Sequence, residues 1–143
     1  MSIQLATSYD LEWVNNQYKS IGFVPSDLER DLVAIITYDN VYAGVGRLVQ
    51  IDKDTIEMGG IFILPKFRGL QLAGELVSFL VEIAKKLQVQ HVYCLPFEEL
   101  EYFYKKYGYT AVDTKKEIVH PIILKKYNWC LDHYDRHVLL FKL

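Results

Sequence analysis

This 143-residue chain has few cysteines, few prolines, no excess of charge of either sign and no long apolar run. Only Cys94 and Cys130 are present, which excludes a disulfide scaffold and is the usage of a cytosolic protein with free thiols. A bridge between the two is the minor alternative. The formal charge of -2 gives no basic footprint, so nucleic acid is not an expected partner. No apolar stretch approaches the roughly 20 residues that cross a bilayer, and Met1-Ser2-Ile3-Gln4-Leu5 is not a secretory or transit segment. The expectation is a cytoplasmic protein without a membrane. His91, His120, His133 and His137 have no zinc spacing. His133 and His137 are four apart, but a strand is expected to begin near the second, which spoils a helical ligand pair. No metal site is expected.

What is present is a composition that is 51% hydrophobic, with 11 Tyr and 7 Phe. Such a chain packs a core, and its length suits one domain, residues 1–143.

The most informative stretch runs from Glu57 to Leu87. Thr55 to Ile63 is rich in β-branched and apolar residues and reads as a strand. From Leu70 to Leu87 the polar Gln71, Glu75, Ser78, Glu82 and Lys85 recur every three or four residues, opposite Leu72, Ala73, Leu76, Leu80, Ile83, Ala84 and Leu87. That is an amphipathic helix. A strand that turns sharply into a helix presents the first helical N–H groups unpaired, and such an end attracts anions. Arg68 stands beside it, Gly69 permits close approach to the main chain, and Pro65 ends the strand. A plain tight connection with Arg68 solvated is the simpler alternative.

Around this core the chain reads in order. Ile3 to Leu5 is a short strand, and Ser8 or Asp10 is a candidate cap for a helix toward Ile21. Pro25 to Arg30 suggests one helical turn. Trp13 and Tyr18 are core aromatics or acceptor contacts, the former being the commoner use. Asp31 to Tyr38 and Val41 to Ile51 are strands joined at Asp39-Asn40, and Asp52-Lys53-Asp54 turns into Thr55. Gly44 and Gly46 mark a bulge. Alternation along the next strand sets Glu57, Gly59, Ile61 and Ile63 against Met58, Gly60 and Phe62. Gln90 to Leu95 is a strand parallel to it, since strand, helix and strand form a βαβ unit. Glu98 to Tyr107 is a second amphipathic helix that Gly108 closes. Val112 to Val119 and Arg136 to Leu143 read as the last strands. Between them His120 to Asp135 is a long connection, open between an acceptor wall, a dimer contact and a hairpin extension.

Ile63, Pro65, Arg68, Gly69, Gln71 and Ala73 resemble the V-x-P-x-x-R-G-x-G-x-G/A signature of the GCN5-related N-acetyltransferase (GNAT) superfamily. A second segment, Phe103-Tyr104-Lys105-Lys106-Tyr107-Gly108-Tyr109, resembles the superfamily's F/L-Y-x-x-x-G-F/Y motif at the expected distance. Two departures stand out: Gln71 where glycine is commonest, and Phe97 where many members carry asparagine.

The resemblance implies an α/β fold with a mixed, mostly antiparallel sheet of about six to seven strands, splayed between the fourth and fifth, and about four helices. It implies acetyl-CoA as cosubstrate. Main-chain groups from Arg68, Gly69, Leu70, Gln71, Leu72, Ala73 and Gly74 would hold the pyrophosphate, and Ile61, Phe62 and Ile63 the pantetheine. It further implies transfer of acetyl to a primary amine, on a small molecule or a peptide, by direct attack in a ternary complex. Glu57 matches the general base and Tyr104 the general acid, with Tyr107 as fallback. For Glu57 the alternative is an ion-paired surface carboxylate, and for Tyr104 plain core packing. Cys94 and Cys130 read as small buried hydrophobes rather than nucleophiles. The rival function is a CoA-binding regulatory or interaction module without turnover. Dimers are common in the superfamily, and the residues leave homodimerisation open.

Overall fold

The computed structural model describes Met1–Leu143. Seven strands and four α-helices follow in the order β1 (Ser2–Leu5), α1 (Leu11–Ser20), β2 (Asp31–Tyr38), β3 (Val41–Asp52), β4 (Thr55–Ile63), α2 (Leu72–Leu87), β5 (His91–Cys94), α3 (Glu101–Lys105), β6 (Thr110–Ala111), α4 (Pro121–His133) and β7 (Phe141–Lys142). They form one sheet, ordered β1-β2-β3-β4-β5-β7-β6. Every pairing is antiparallel except β4 with β5. Asp39 and Asn40 both hold positive φ, 54° and 65°, the backbone that a two-residue hairpin needs.

One face of the sheet carries α2 and α3. Leu72, Leu76, Val77, Leu80 and Ala84 of α2 pack with Ile56, Met58, Val92 and Tyr104 in the largest core cluster. The other face carries α1, through Val14 and Tyr18 against Val33, Ile35 and Val45, and α4, through Ile123 against Tyr93 and Leu140. No helix is long and apolar enough to cross a membrane. Both cysteines are free and buried.

The feature that positions the site is a break in the sheet. β4 pairs with β5 only from Thr55–His91 to Met58–Cys94, and Pro96, which has no N–H to donate, follows soon after. From Gly59 onward β4 keeps its β3 neighbour and has no strand on its other side. A bulge sits at the same place, where Gly60 and Ile61 together oppose Gly46 and Gly60 takes φ +61°.

That bulge corrects the simple alternation expected along β4. Gly59 and Gly60 both face the α1 side, since a Cβ on the first would meet Glu57 Oε2 at 3.5 Å and on the second the Tyr18 hydroxyl at 2.6 Å. Ile61 and Ile63 therefore join Met58 in the α2 core, and Phe62 packs with the α1 cluster. The glycine pair switches the phase, so Glu57 does not share a face with Ile61.

Other expectations are also corrected. Pro25 to Arg30 forms no helix; a turn closes it, with the N–H groups of Arg30 and Asp31 donating to the Asp27 carbonyl. Asp10 precedes α1 without capping it, because its carboxylate accepts from Thr7 N–H at 2.9 Å and from the Tyr42 hydroxyl at 2.5 Å. Glu98 to Leu100 is a 3-10 turn, so the second amphipathic helix is shorter than expected. Val112 to Val119 is not a strand. Asp113 turns it, its side chain accepting from Lys115 N–H and its carbonyl from those of Lys116 and Glu117, and this local chemistry outcompetes β propensity. β7 is likewise only Phe141–Lys142. The connection from His120 to Asp135, whose form the sequence leaves open, contains α4.

Candidate active site

Two cavities lie at the two ends of the unpaired part of β4. The first, about 630 Å³, is lined by Ile63, Arg68, Gly69, Gln71, Leu72, Ala73 and Gly74, with Ser78, Phe103, Lys106 and Tyr107. It opens at the start of α2, whose N-cap residue, Gln71, makes no side-chain cap bond. The first N–H groups of that 16-residue helix are therefore left for an anion. Gly69 has φ +85° with nothing within 4 Å of a Cβ. Arg68 donates from Nε to the Ile63 carbonyl at 3.0 Å, which fixes the guanidinium at the end of β4 and leaves its Nη groups without a protein acceptor. Leu70 is exposed and lies outside the lining.

Gln71 occupies the left-handed region, φ 63° and ψ 21°, so it keeps the backbone that glycine would adopt there. Gly74 is fixed by contact: a Cβ would stand 2.4 Å from the Tyr107 hydroxyl. Tyr107 thus belongs to this first cavity and not to the one containing Glu57. Lys106 adds a cation that sequence reading passed over, although its place inside the second motif was the available signal.

The second cavity, about 320 Å³, brings together Glu57, Ile61 and Tyr104, residues separated by up to 47 positions in the chain. Glu57 is 5% exposed. Lys126 of α4, half exposed, donates to its Oε2 at 2.6 Å. Glu57 is therefore a buried, ion-paired carboxylate at the edge of a cavity, and Oε1 accepts from no protein group. Tyr104 is buried on α3 with its ring edge-on to Phe103 and Tyr109. Burial pushes its hydroxyl well above the ordinary phenol range, and the adjacent Cys94 thiol adds to the shift. The same burial raises Cys94, with the Glu57 charge second, so that thiol stays protonated and is no nucleophile at neutral pH.

Two aromatics of α1 prove structural. Trp13 meets Tyr42 edge-on at 5.0 Å, and Tyr18 donates to the Gly60 carbonyl at 2.8 Å, pinning the bulge. The segment after α1 that does reach the cavity is Gly22 to Val24. Phe97 lines the cavity with the Arg136 guanidinium 4.0 Å from its ring centre.

Sequence reading missed Lys126 and Arg47. The signal for Lys126 was present: Pro121 stands at the first helical position, His120 before it accepts from Ile122 N–H, and Ile123, Tyr127 and Cys130 recur at helical spacing. Arg47 was visible as one charge inside the apolar run from Ala43 to Val49.

Comparison with known proteins agrees with this fold. Among solved structures, a Mycobacterium tuberculosis protein in complex with CoA superimposes with a TM-score of 0.75 at 14% identity, covering 100% of this chain and 98% of that one. A GNAT family acetyltransferase from Elizabethkingia anophelis with acetyl-CoA bound gives 0.69 at 19% identity, with coverages of 99% and 96%. A spermidine N-acetyltransferase chimera from Vibrio cholerae and hSSAT gives 0.72 at 14% identity, with coverages of 100% and 96%. No curated protein gives a significant sequence match. These likenesses establish the fold. The acetyltransferase (GNAT) family model matches residues 5–109, a span that contains both motifs, and the chain belongs to that family.

Proposed function

We propose that this protein is an N-acetyltransferase that moves the acetyl group of acetyl-CoA to a primary amine in a ternary complex. The observation that carries the reading is the pair of cavities at the two ends of the unpaired edge of β4: an anion-binding helix end on one side, a buried carboxylate and a buried phenol on the other. The residues present suit acetyl-CoA. The N–H groups at the start of α2, with Arg68 and Lys106, would hold its phosphates, and the free edge near Ile61, Phe62 and Ile63 would hold its pantetheine. When bound it supplies an acetyl thioester and a thiol leaving group.

Glu57 would receive the amine at Oε1 and pass its excess proton toward solvent, past the half-exposed Lys126. An amine is mostly protonated at pH 7, so this step is required before attack. Tyr104, kept as a neutral O–H by its burial, would donate a proton at the departing sulfur. The bulge that Tyr18 holds supports a main-chain role in polarising the acetyl oxygen.

Isothermal titration with acetyl-CoA, paired with a thiol-release assay over a panel of primary amines, tests this. Binding together with amine-dependent release is expected. Y104F should keep the affinity and lose roughly 10²-fold in kcat, the usual contribution of a general acid. Binding without release for any amine would instead mark a binding module, and absence of binding by the folded protein would remove the acetyl-CoA assignment.

A further inference from the structure

The second cavity contains a feature that the proposed reaction does not use. Arg47 on β3 and Glu57 on β4 point to the same face of the sheet, because Arg47 is registered with Gly59 and Val49 with Glu57. Diagonal neighbours of this kind have their Cβ atoms about 7–8 Å apart, within easy reach of an ion pair between two long side chains. Yet each turns elsewhere. Glu57 pairs with Lys126, and Arg47 donates from Nη1 to the Val24 carbonyl at 2.9 Å and the Ser26 hydroxyl at 2.7 Å.

The gap between them is floored by Gly59, above which the only atom within 4 Å of a Cβ position is Glu57 Oε2, at 3.5 Å. Arg47 is also held rigidly, its guanidinium 4.2 Å from the centre of the Tyr18 ring. A guanidinium has five N–H donors, and those on Nε and Nη2 have no protein acceptor among the bonds Arg47 makes. A planar, fixed cation with unspent donors suits an oxyanion such as a carboxylate or a phosphate, and the carboxylate is the one that an amine acceptor commonly carries beside its nitrogen.

The remaining walls are apolar, with Phe23, Trp129 and Tyr134 prominent. The charged side chains that reach this cavity are Arg47, Lys126 and Glu57, two cations against one carboxylate. A polyamine would meet net repulsion there.

Resting on the acetyltransferase reading above, we infer that the acceptor is a small amino acid with an apolar body, its carboxylate on Arg47, its amino group on Glu57 Oε1 and its side chain against the aromatic wall. The transfer is balanced within these groups. The amino nitrogen forms the C–N bond to the acetyl carbon as the C–S bond breaks. The ammonium loses two protons overall: one replaces the lost bond on the sulfur, and the other leaves through Glu57 to solvent.

The test compares L-phenylalanine, L-phenylalaninamide, 2-phenylethylamine and spermidine as acceptors for the natural protein and for R47M, with acetyl-CoA binding measured alongside. The amide is the weaker base and the readier nucleophile at neutral pH, so a preference for the acid cannot arise from amine ionisation. The natural protein should favour phenylalanine over both the amide and the amine by roughly 10- to 100-fold in kcat/KM, the range for one charged hydrogen-bonded contact. In R47M the ratio should fall to about one. G59A, whose added methyl meets Glu57 Oε2 at an ordinary 3.5 Å, should fold and raise KM for phenylalanine while leaving acetyl-CoA affinity intact. Equal use of the amide, or better use of spermidine, would overturn the acceptor assignment alone. Tight acetyl-CoA binding with no thiol release from phenylalanine, while another amine of the wider panel gives release, would likewise overturn the acceptor assignment alone; no release from any amine of that panel would bring down the transferase reading and this one with it.

Discussion

At the scale of single residues, one departure from the family pattern, Gln71, is resolved by backbone rather than by chemistry. Gln71 replaces a glycine yet adopts that glycine's left-handed conformation, φ 63°, which costs an L-residue about 1–2 kcal/mol. Q71G should therefore raise thermal stability, by no more than about 1 kcal/mol once the extra freedom of glycine in the unfolded chain is counted, with acetyl-CoA affinity unchanged. Thermal melts with and without acetyl-CoA would show this; a fall in stability would mean that the Gln71 side chain makes a compensating contact. Glu57 illustrates the opposite situation. Its identity was readable, but its surroundings were not: the carboxylate is buried and ion-paired at once, and the partner comes from Lys126, 69 positions away. Nothing local to Glu57 announces that lysine.

At the scale of elements, what was legible was whatever had strong periodicity or a strong turn. The three-strand meander, α2, the parallel β5 and the break after Met58 all have local signatures. α4 was hidden because its apolar residues are spread around the helix, with Ile122, Trp129 and Leu131 exposed while Ile123 and Cys130 are buried. Its start is nevertheless well specified. His120 accepts from Ile122 N–H through Nδ1, and its Nε2 lies 2.9 Å from Asp52 Oδ2, so one imidazole caps the helix and ties it to the end of β3. H120A should cost about 1 kcal/mol, the usual value of an N-cap, lowering Tm by roughly 3 °C for a chain of this length. H120N, able to cap without reaching Asp52, should recover part of that. Circular dichroism melts of the two variants would separate the cap from the tie. The strand expected over Val112 to Val119 was misplaced for another reason: β6 ends at Ala111, and Asp113 bends the following segment through its own backbone, whereas β7 falls inside the strand expected over Arg136 to Leu143.

At the scale of the whole molecule, three of the 11 tyrosines share one property, a buried hydroxyl raised chiefly by that burial. Tyr18, Tyr104 and Tyr109 are buried to 0%, 6% and 1% exposure, and burial pushes all three above the ordinary phenol range; Cys94 adds to the shift at Tyr104 and Tyr109. In the unfolded chain they ionise near pH 10. Their contribution to stability is thus complete below about pH 10 and is lost as the pH rises further, since only the unfolded state then releases protons. Alkaline titration should show Tyr18, Tyr104 and Tyr109 ionising together with cooperative unfolding, above pH 10. Ionisation of all 11 in one smooth phase before unfolding would contradict the burial described. The parting of β4 from β5 has a further consequence. The sheet is two blocks, β1 to β4 and β5 to β7, sewn together by four residue pairs and by the helices laid across them. Amide exchange should read that seam directly: the unpaired edge from Gly59 to Ile63 marks where the protein breathes first, and a long ligand laid into it would act as the missing strand, stitching two semi-independent halves into one cooperative unit.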